Sequence, residues 1–185
     1  MTEQQEASED AVMTRIGQAV ILLHAGDREE ARNRLGEIWS EIGDEGHSLH
    51  RCTLAHYMAD AQDDPADELA WDLRALTAAE GLAGGARAEN AREGVLEGVR
   101  EGVRNGSDHA VRVFYPSLHL SLAADYVKLR RPEAARVHLA RARAATGALG
   151  DDGYGNGVRA AIARLERRLA AEPGEGPRPF PEQGP

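Results

Sequence analysis

The sequence predicts an all-α protein, and three observations lead to this fold class. Only 4% of its 185 residues are aromatic, whereas alanine, leucine and arginine, which favour helices, are abundant. Apolar residues recur every three or four positions along several segments, which is the spacing of an amphipathic helix. The breaks between these segments carry residues typical of helix ends. A β-sandwich, which needs more aromatic and β-branched residues, is therefore disfavoured.

The first pair of predicted helices spans about Asp10 to Ile42. Gly26 is suited to the left-handed conformation that ends a helix, and Asp27 is suited to cap the next one. The two apolar stripes consist of Val12, Ile16, Ala19, Val20 and Leu23, and of Ala31, Leu35, Ile38 and Ile42.

The second predicted pair spans about Ser48 to Leu82. Asp64 is a favourable N-cap, and Pro65 fits the first position of the helix that follows. Beyond this pair, the adjacent glycines at 84 and 85 are expected to break the chain.

Residues 83–107 contain an unusual repeat, in which E-G-V-L-E-G-V-R-E-G-V-R carries one tetrad three times. Each glycine costs a helix about 1 kcal/mol relative to alanine, so we expect a weak helix here. Two interpretations stay open. The segment is either a low-complexity linker or a glycine-faced helix that packs closely on a partner helix.

A third pair is expected after Tyr115 and Pro116, and residues 119–143 read H-L-S-L-A-A-D-Y-V-K-L-R-R-P-E-A-A-R-V-H-L-A-R-A-R. Small residues in this segment would let two helices approach closely, and large ones would fill the gaps. The residues that set this spacing are Leu122, Ala123, Tyr126, Pro132, Ala135, Leu139 and Ala142. The spacing resembles the tetratricopeptide repeat (TPR), whose 34 residues fold into two antiparallel helices.

The resemblance is to small bacterial proteins of the TPR family and covers roughly residues 11–143. It implies three TPR-like antiparallel helical hairpins in a right-handed array. A final helix, predicted from about Asn156 to Ala171, would be the C-terminal capping helix of that array. The helical domain is thus predicted at 10–171, with a disordered N-terminus at 1–9 and a disordered, proline- and glycine-rich tail at 172–185.

The resemblance also implies a function, because the first helix of each TPR pair lines a concave surface that binds a protein or peptide. The expected protein is a non-catalytic scaffold without a cofactor, and its partner is an amphipathic helix or an extended peptide. Carrying the repeat positions over gives the predicted binding face, which consists of Ile16, Val20, Leu23, Thr53, His56, Asp60, Leu120, Ser121, Ala124 and Lys128.

The main alternative is a metal- or small-ligand-binding protein, with or without enzymatic activity, centred on Cys52, His56 and Asp60. These residues recur every four positions and would share one side of a helix. Thiolate, imidazole and carboxylate groups all bind transition metals. A nucleophilic Cys–His pair is a further interpretation, although two residues of one helix seldom have the geometry that such a pair requires for attack on a substrate. The plainest interpretation is a partly buried cysteine beside a histidine that hydrogen-bonds to Asp60.

Composition argues against several other classes of function. A net charge of −9 disfavours nucleic-acid binding, which needs a basic face. The single cysteine excludes an internal disulfide. The acidic, polar start of the chain is unlike a secretory signal, and the longest apolar stretch, Ala19–Leu23, is too short to cross a membrane. A cytoplasmic location is therefore expected, and self-association is left open.

Overall fold

The computed structural model describes residues 3–43, 46–92 and 101–171, with side chains described for 11–43, 46–81 and 113–171. Within these ranges the chain is helical and contains no strand, which confirms the predicted all-α class. The helices are α1 (Glu3–His24), α2 (Arg28–Ile42), α3 (Ser48–Asp60), α4 (Pro65–Arg92), α5 (Glu101–Lys128), α6 (Pro132–Ala144) and α7 (Gly153–Ala171), with a short 3-10 helix at Ala145–Ala148.

Helices that follow one another in sequence also pack against one another. The pairs α1–α2, α3–α4 and α5–α6 are in contact, and each later pair contacts the one before it. α3 contacts both α1 and α2, α5 contacts both α3 and α4, and α7 packs on α5 and α6. None of the helices described has the length and apolar character needed to cross a bilayer.

The turn between α1 and α2 forms as the sequence predicts. Gly26 has a φ of +92°, in the left-handed region. Its N–H donates to the carbonyl of Leu23 at 3.1 Å, and the N–H of Asp27 donates to the carbonyl of Leu22 at 3.0 Å, which together make a Schellman motif. The side chain of Asp27 then accepts a hydrogen bond from the N–H of Glu30 at 3.4 Å and caps α2.

The turn between α5 and α6 repeats this motif with a different residue at its centre. The N–H of Arg130 donates to the carbonyl of Val127 at 3.0 Å, and that of Arg131 donates to Tyr126 at 2.8 Å. Arg130 takes the place of Gly26 and has a φ of +56°, although arginine has a side chain that disfavours this conformation.

The turn before α4 also follows the prediction. α4 begins at Pro65, and the side chain of Asp64 accepts a hydrogen bond from the N–H of Ala66 at 2.7 Å. The connection is one residue longer than the other two, because residues 61–64 separate α3 from α4, whereas 25–27 and 129–131 separate the other pairs.

Three predicted helix boundaries are wrong. α1 begins at Glu3 and not near Asp10, so residues 3–9 belong to a helix. α4 continues through the glycines at 84 and 85, because the surrounding alanine, arginine and glutamate residues are good helix formers and offset the cost of two glycines. Residues 93–100 of the tetrad segment, and the tail at 172–185, lie outside the described residues.

The third correction concerns Pro116, which lies inside α5 and not before it. An interior proline removes one backbone hydrogen bond and costs a helix about 3 kcal/mol. Pro116 is fully buried, and so is Leu118 beside it, so their packing favours a continuous helix. The hydroxyl of Ser117 donates to the carbonyl of Phe114 at 2.8 Å, two residues before the proline.

Alanines form much of the packing between helices. Ala135 and Ala142 of α6 face Ala123 of α5, and all three side chains are 0% exposed. This cluster continues into α7, whose predicted apolar stripe supplies Val158, Ile162 and Leu169 as buried residues and Leu165 as a partly buried one. Small side chains at these positions let the helix axes approach closely.

Candidate functional site

Six ionisable side chains meet where α3, α4 and α5 pack together, and we call this group the polar junction. Its members are His56 and Asp60 of α3, Glu68 and Asp72 of α4, and Asp125 and Lys128 of α5. Asp72 and Asp125 are 2% and 1% exposed, so two carboxyl groups are enclosed between the helices. Carboxyl groups are seldom buried so fully without a partner, which makes this the most unusual polar feature among the described residues.

His56 pairs with Asp72 and not with Asp60, the partner that its helical spacing suggests. The Nδ1 atom of His56 lies 3.2 Å from Oδ1 of Asp72. Burial lowers the pKa of His56, but the hydrogen bond to Asp72 and the charges of Asp72, Asp60 and Asp125 outweigh it, so the pKa is raised overall. The imidazolium form is therefore favoured beside this carboxylate.

Asp125 lies beside Asp72 and holds its proton unusually tightly. Burial raises the pKa of Asp125 well above its ordinary value, and the charges of Asp72 and Glu68 and a hydrogen bond to Asp72 raise it further, against the opposing charge of Lys128. Oδ2 of Asp125 has no donor among the described atoms. A proton on Asp125 removes the repulsion between the two carboxylates, because the carboxyl groups can then share a hydrogen bond.

Lys128 closes the polar junction at the solvent edge. Its Nζ atom lies 2.5 Å from Oε1 of Glu68 and 3.4 Å from Oδ1 of Asp125. Burial lowers the pKa of Lys128, but its hydrogen bond to Glu68 and the neighbouring carboxylates raise it overall. The ammonium group thus ties the C-terminal end of α5 to the first turns of α4.

Cys52 faces the core and lacks the properties of a reactive or ligating thiol. It is 1% exposed and packs among Ala55, Ala75 and Leu118. Burial raises the pKa of its thiol to about 12, and the charge of Asp72 contributes to the increase. A thiolate, which both nucleophilic attack and zinc binding require, is therefore disfavoured. In the described parts of the chain, no three histidine, cysteine or acidic residues are arranged to hold a metal ion.

The residues of the predicted binding face fall into two groups. Ile16 and Thr53 are 1% and 5% exposed, because the neighbouring helices cover them, so neither is available to a partner. The rest reach the surface at least in part. Val20, Leu23, His56, Leu120, Ser121 and Ala124 are partly exposed, and Asp60 and Lys128 are exposed.

Glu68, Asp72 and Asp125 were not identified from the sequence, although two of them occupy positions where an apolar core residue is expected. Asp72 stands three positions after Leu69 and four before Leu76, and so occupies the buried stripe of α4. Asp125 stands in the same way three positions after Leu122. An acidic residue at a core position is the pattern that could have pointed to the polar junction.

Comparisons with protein-family models, curated proteins and solved structures find no match for this chain. The function is therefore inferred from the geometry of the residues described above.

Proposed function

We propose that this protein is a non-catalytic, TPR-like scaffold that binds a protein or peptide partner on the face formed by α1, α3 and α5. The observation that carries the proposal is the mixed character of this face. The residues predicted for it include partly exposed apolar side chains of α1 and α5, such as Leu23 and Leu120, as well as exposed Asp60 and Lys128. Such a surface suits a segment that is apolar along one side and polar along the other.

The two Schellman turns support a repeat arrangement. Ala31 follows Asp27 by four residues, and Ala135 follows Arg131 by four, and both alanines are 0% exposed. The equivalence extends to further buried positions, which are Leu35 with Leu139 and Ala19 with Ala123. The first and third helix pairs thus use one pattern of turn, small residue and large residue, as repeats of a single unit would.

The contacts between pairs agree with an array as well. Each later pair meets the preceding one through its first helix, since α3 packs on α1 and α2, and α5 packs on α3 and α4. The same helices, α1, α3 and α5, carry the predicted binding face. We propose that apolar contacts supply most of the affinity and that Asp60 orients the partner by accepting hydrogen bonds from it.

The proposal is tested by recovering proteins from a lysate on immobilised wild-type protein and on the Asp60→Ala variant. The matched control is Glu80→Ala, which removes an exposed carboxylate from α4. A genuine partner binds the wild type and the control, and loses affinity for Asp60→Ala by about 5- to 20-fold in calorimetry with the purified partner. Equal affinity for all three proteins would contradict the proposed face.

Metal analysis of the same purified sample separates the scaffold from a metalloprotein. We expect no stoichiometric transition metal, because the thiol of Cys52 is buried and protonated at neutral pH. One equivalent of zinc, nickel or iron that is lost on His56→Ala would overturn the scaffold proposal.

A further inference from the structure

Asp60 is the member of the polar junction whose carboxylate has no hydrogen-bond or ion-pair partner among the described residues. The two cations of the junction each contact other carboxylates. Nδ1 of His56 lies 3.2 Å from Oδ1 of Asp72, and Nζ of Lys128 lies 2.5 Å from Oε1 of Glu68. Asp60 is exposed at the surface, so a molecule in solution can reach it and supply a cation.

The charged groups around Asp60 do not neutralise it. Burial raises its pKa, the charges of His56 and Lys128 lower it, and those of Asp72 and Glu68 raise it, so that the pKa is raised overall. With Asp60 itself, three carboxylates therefore face two cations. The polar junction carries an excess of negative charge at the point where it opens to solvent.

The buried part of the polar junction shows the same shortage of cations. Asp125 is 1% exposed, and its Oδ2 atom has no donor among the described atoms. Its raised pKa means that it keeps a proton where a cation would otherwise be needed. The segment from Asp60 to Asp72 reads D-A-Q-D-D-P-A-D-E-L-A-W-D and contains no basic residue, so the sequence around the junction adds further negative charge.

An apolar surface begins next to Asp60. Tyr57 precedes Asp60 by three positions in α3, so the two side chains are neighbours on one side of the helix. Burial raises the pKa of Tyr57, and the charge of Asp60 raises it further, as expected for adjacent groups. Tyr57 packs on the same buried cluster as Val20 and Leu23 of α1, and all three are partly exposed. Tyr57 thus connects the unpaired carboxylate with an apolar surface formed by two helices.

We infer that the partner is a basic amphipathic segment of another protein, an inference that rests on the binding face proposed above. An arginine or lysine of the segment pairs with Asp60, and its apolar side chains pack on Tyr57 and Leu23. Arginine suits this position best, because its planar guanidinium can donate two N–H groups to one carboxylate. An acidic segment would bring a further carboxylate to a junction that already lacks cations, and is therefore rejected.

Fluorescence anisotropy tests the inference with two labelled peptides on the full chain at low salt. One peptide is Gly-Leu-Arg-Leu-Leu-Arg-Gly-Ser. In the other, both arginines are replaced by citrulline, which has nearly the same shape but no charge. We expect the arginine peptide to bind about tenfold more tightly than the citrulline peptide, and raising the salt to reduce this ratio. Equal affinity for the two peptides, or no binding of the arginine peptide at about 1 mM, would overturn the inference.

Two carboxylate variants identify the site of the arginine. Asp60→Asn is expected to weaken binding of the arginine peptide by about 3- to 10-fold and to leave the citrulline peptide unaffected. The matched control is Glu80→Gln, which removes an exposed carboxylate from α4 and should change neither affinity. The protein has a net charge of −9, so any basic peptide is attracted to it to some extent. Equal losses in the two variants would show that net charge alone is responsible and would overturn the inference.

An apolar variant separates failure of the basic partner from failure of the binding face. Leu23→Ala should weaken both peptides by about threefold, because it removes apolar contact area. Its control is Ile21→Ala, at a position that is 69% exposed on another side of α1. If the two peptides bind equally and both lose affinity on Leu23→Ala, the face stands and the basic partner is wrong. If neither Leu23→Ala nor Asp60→Asn affects binding, the peptides bind elsewhere, and the proposed face fails together with the inference.

Discussion

At the scale of single residues, the carboxyl group of Asp125 couples the stability of the fold to pH. Its pKa is raised by burial and by the charge of Asp72, so the folded state binds more protons than the unfolded state between the ordinary and the raised pKa. Stability must then fall as pH rises through this interval. His56 acts in the same direction, because its pKa is raised as well and its charged form is lost as pH rises.

We therefore predict that the free energy of unfolding is lower near pH 8 than near pH 6, and that Asp125→Asn reduces this difference. Asparagine stays neutral and can donate a hydrogen bond to Asp72, so it retains the favourable form at every pH. Urea denaturation of both proteins at the two pH values measures the effect.

Comparing the pH dependence of stability in Asp125→Asn with that in the wild type also cancels a contribution of opposite sign, which comes from a pair of histidines. His119 lies 3.1 Å from His138, between their Nδ1 atoms, and burial together with the charges of His138 and Arg141 lowers its pKa to about 4. The contribution of this pair to the free energy of unfolding decreases as pH falls below the ordinary histidine pKa, and it does so equally in both proteins. An unchanged pH dependence in Asp125→Asn would contradict the assignment of the proton to Asp125.

The partner of His56 could not be predicted from residue spacing along a single helix. The spacing of His56 and Asp60 suggests a pair, but His56 contacts Asp72, which lies 16 positions further on in another helix. Spacing along a helix cannot reveal which side chain the next helix brings into reach. The burial of Ile16 and Thr53 was missed for the same reason, since it depends on neighbouring helices.

At the scale of helices and turns, the two Schellman motifs provide a matched pair of substitutions. Arg130→Gly is predicted to raise the free energy of unfolding by about 0.5–1 kcal/mol, because glycine adopts a φ of +56° without strain. Gly26→Ala is predicted to lower it by about 1 kcal/mol. A Cβ at Gly26 meets no atom within 4 Å, so this cost arises from the backbone alone. Thermal or urea denaturation checks both signs, and effects in the same direction would contradict the argument.

The contact between α5 and α6 is predicted to tolerate no larger side chain at Ala135. This residue is 0% exposed and belongs to the cluster that contains Ala123 and Leu139, so Ala135→Leu should overpack it and cost about 1–3 kcal/mol. The control is Ala140→Leu on the exposed side of α6, which should change the melting temperature little. Equal melting temperatures for Ala135→Leu and the wild type would show that the interface is not closely packed.

Helix ends were predictable where the signal is local. Asp27, Asp64 and Gly26 act within four residues of their own positions, and all three behave as expected. The path of α5 through Pro116 was not predictable, because the local preference of proline for a helix start competes with burial against distant residues. Tertiary packing decides such cases, and a single sequence does not contain its geometry.

At the scale of the whole molecule, exposed ion pairs add little to what the apolar contacts provide. Asp63 in the turn before α4 pairs with Arg32 at 2.8 Å and Arg28 at 3.2 Å, and so links that turn to α2. Asp63 is largely exposed, and such pairs contribute about 0–1 kcal/mol each and weaken in salt. The packing arrangement of the helices is therefore attributed to the burial of their apolar faces.

The position of α5 has a consequence for how the protein unfolds. This helix packs on α3 and α4 on one side and on α6 and α7 on the other, so neither half can lose its structure without exposing the other's apolar surface. Helical arrays often melt unit by unit, but a shared central helix makes the transition cooperative.

Both tryptophans, Trp39 and Trp71, lie in the first half, so their fluorescence reports on that half alone, whereas far-ultraviolet circular dichroism reports on every helix. We predict that the two melting curves coincide. A separation of more than a few degrees would mean that the molecule consists of two independently folding parts that happen to share a helix.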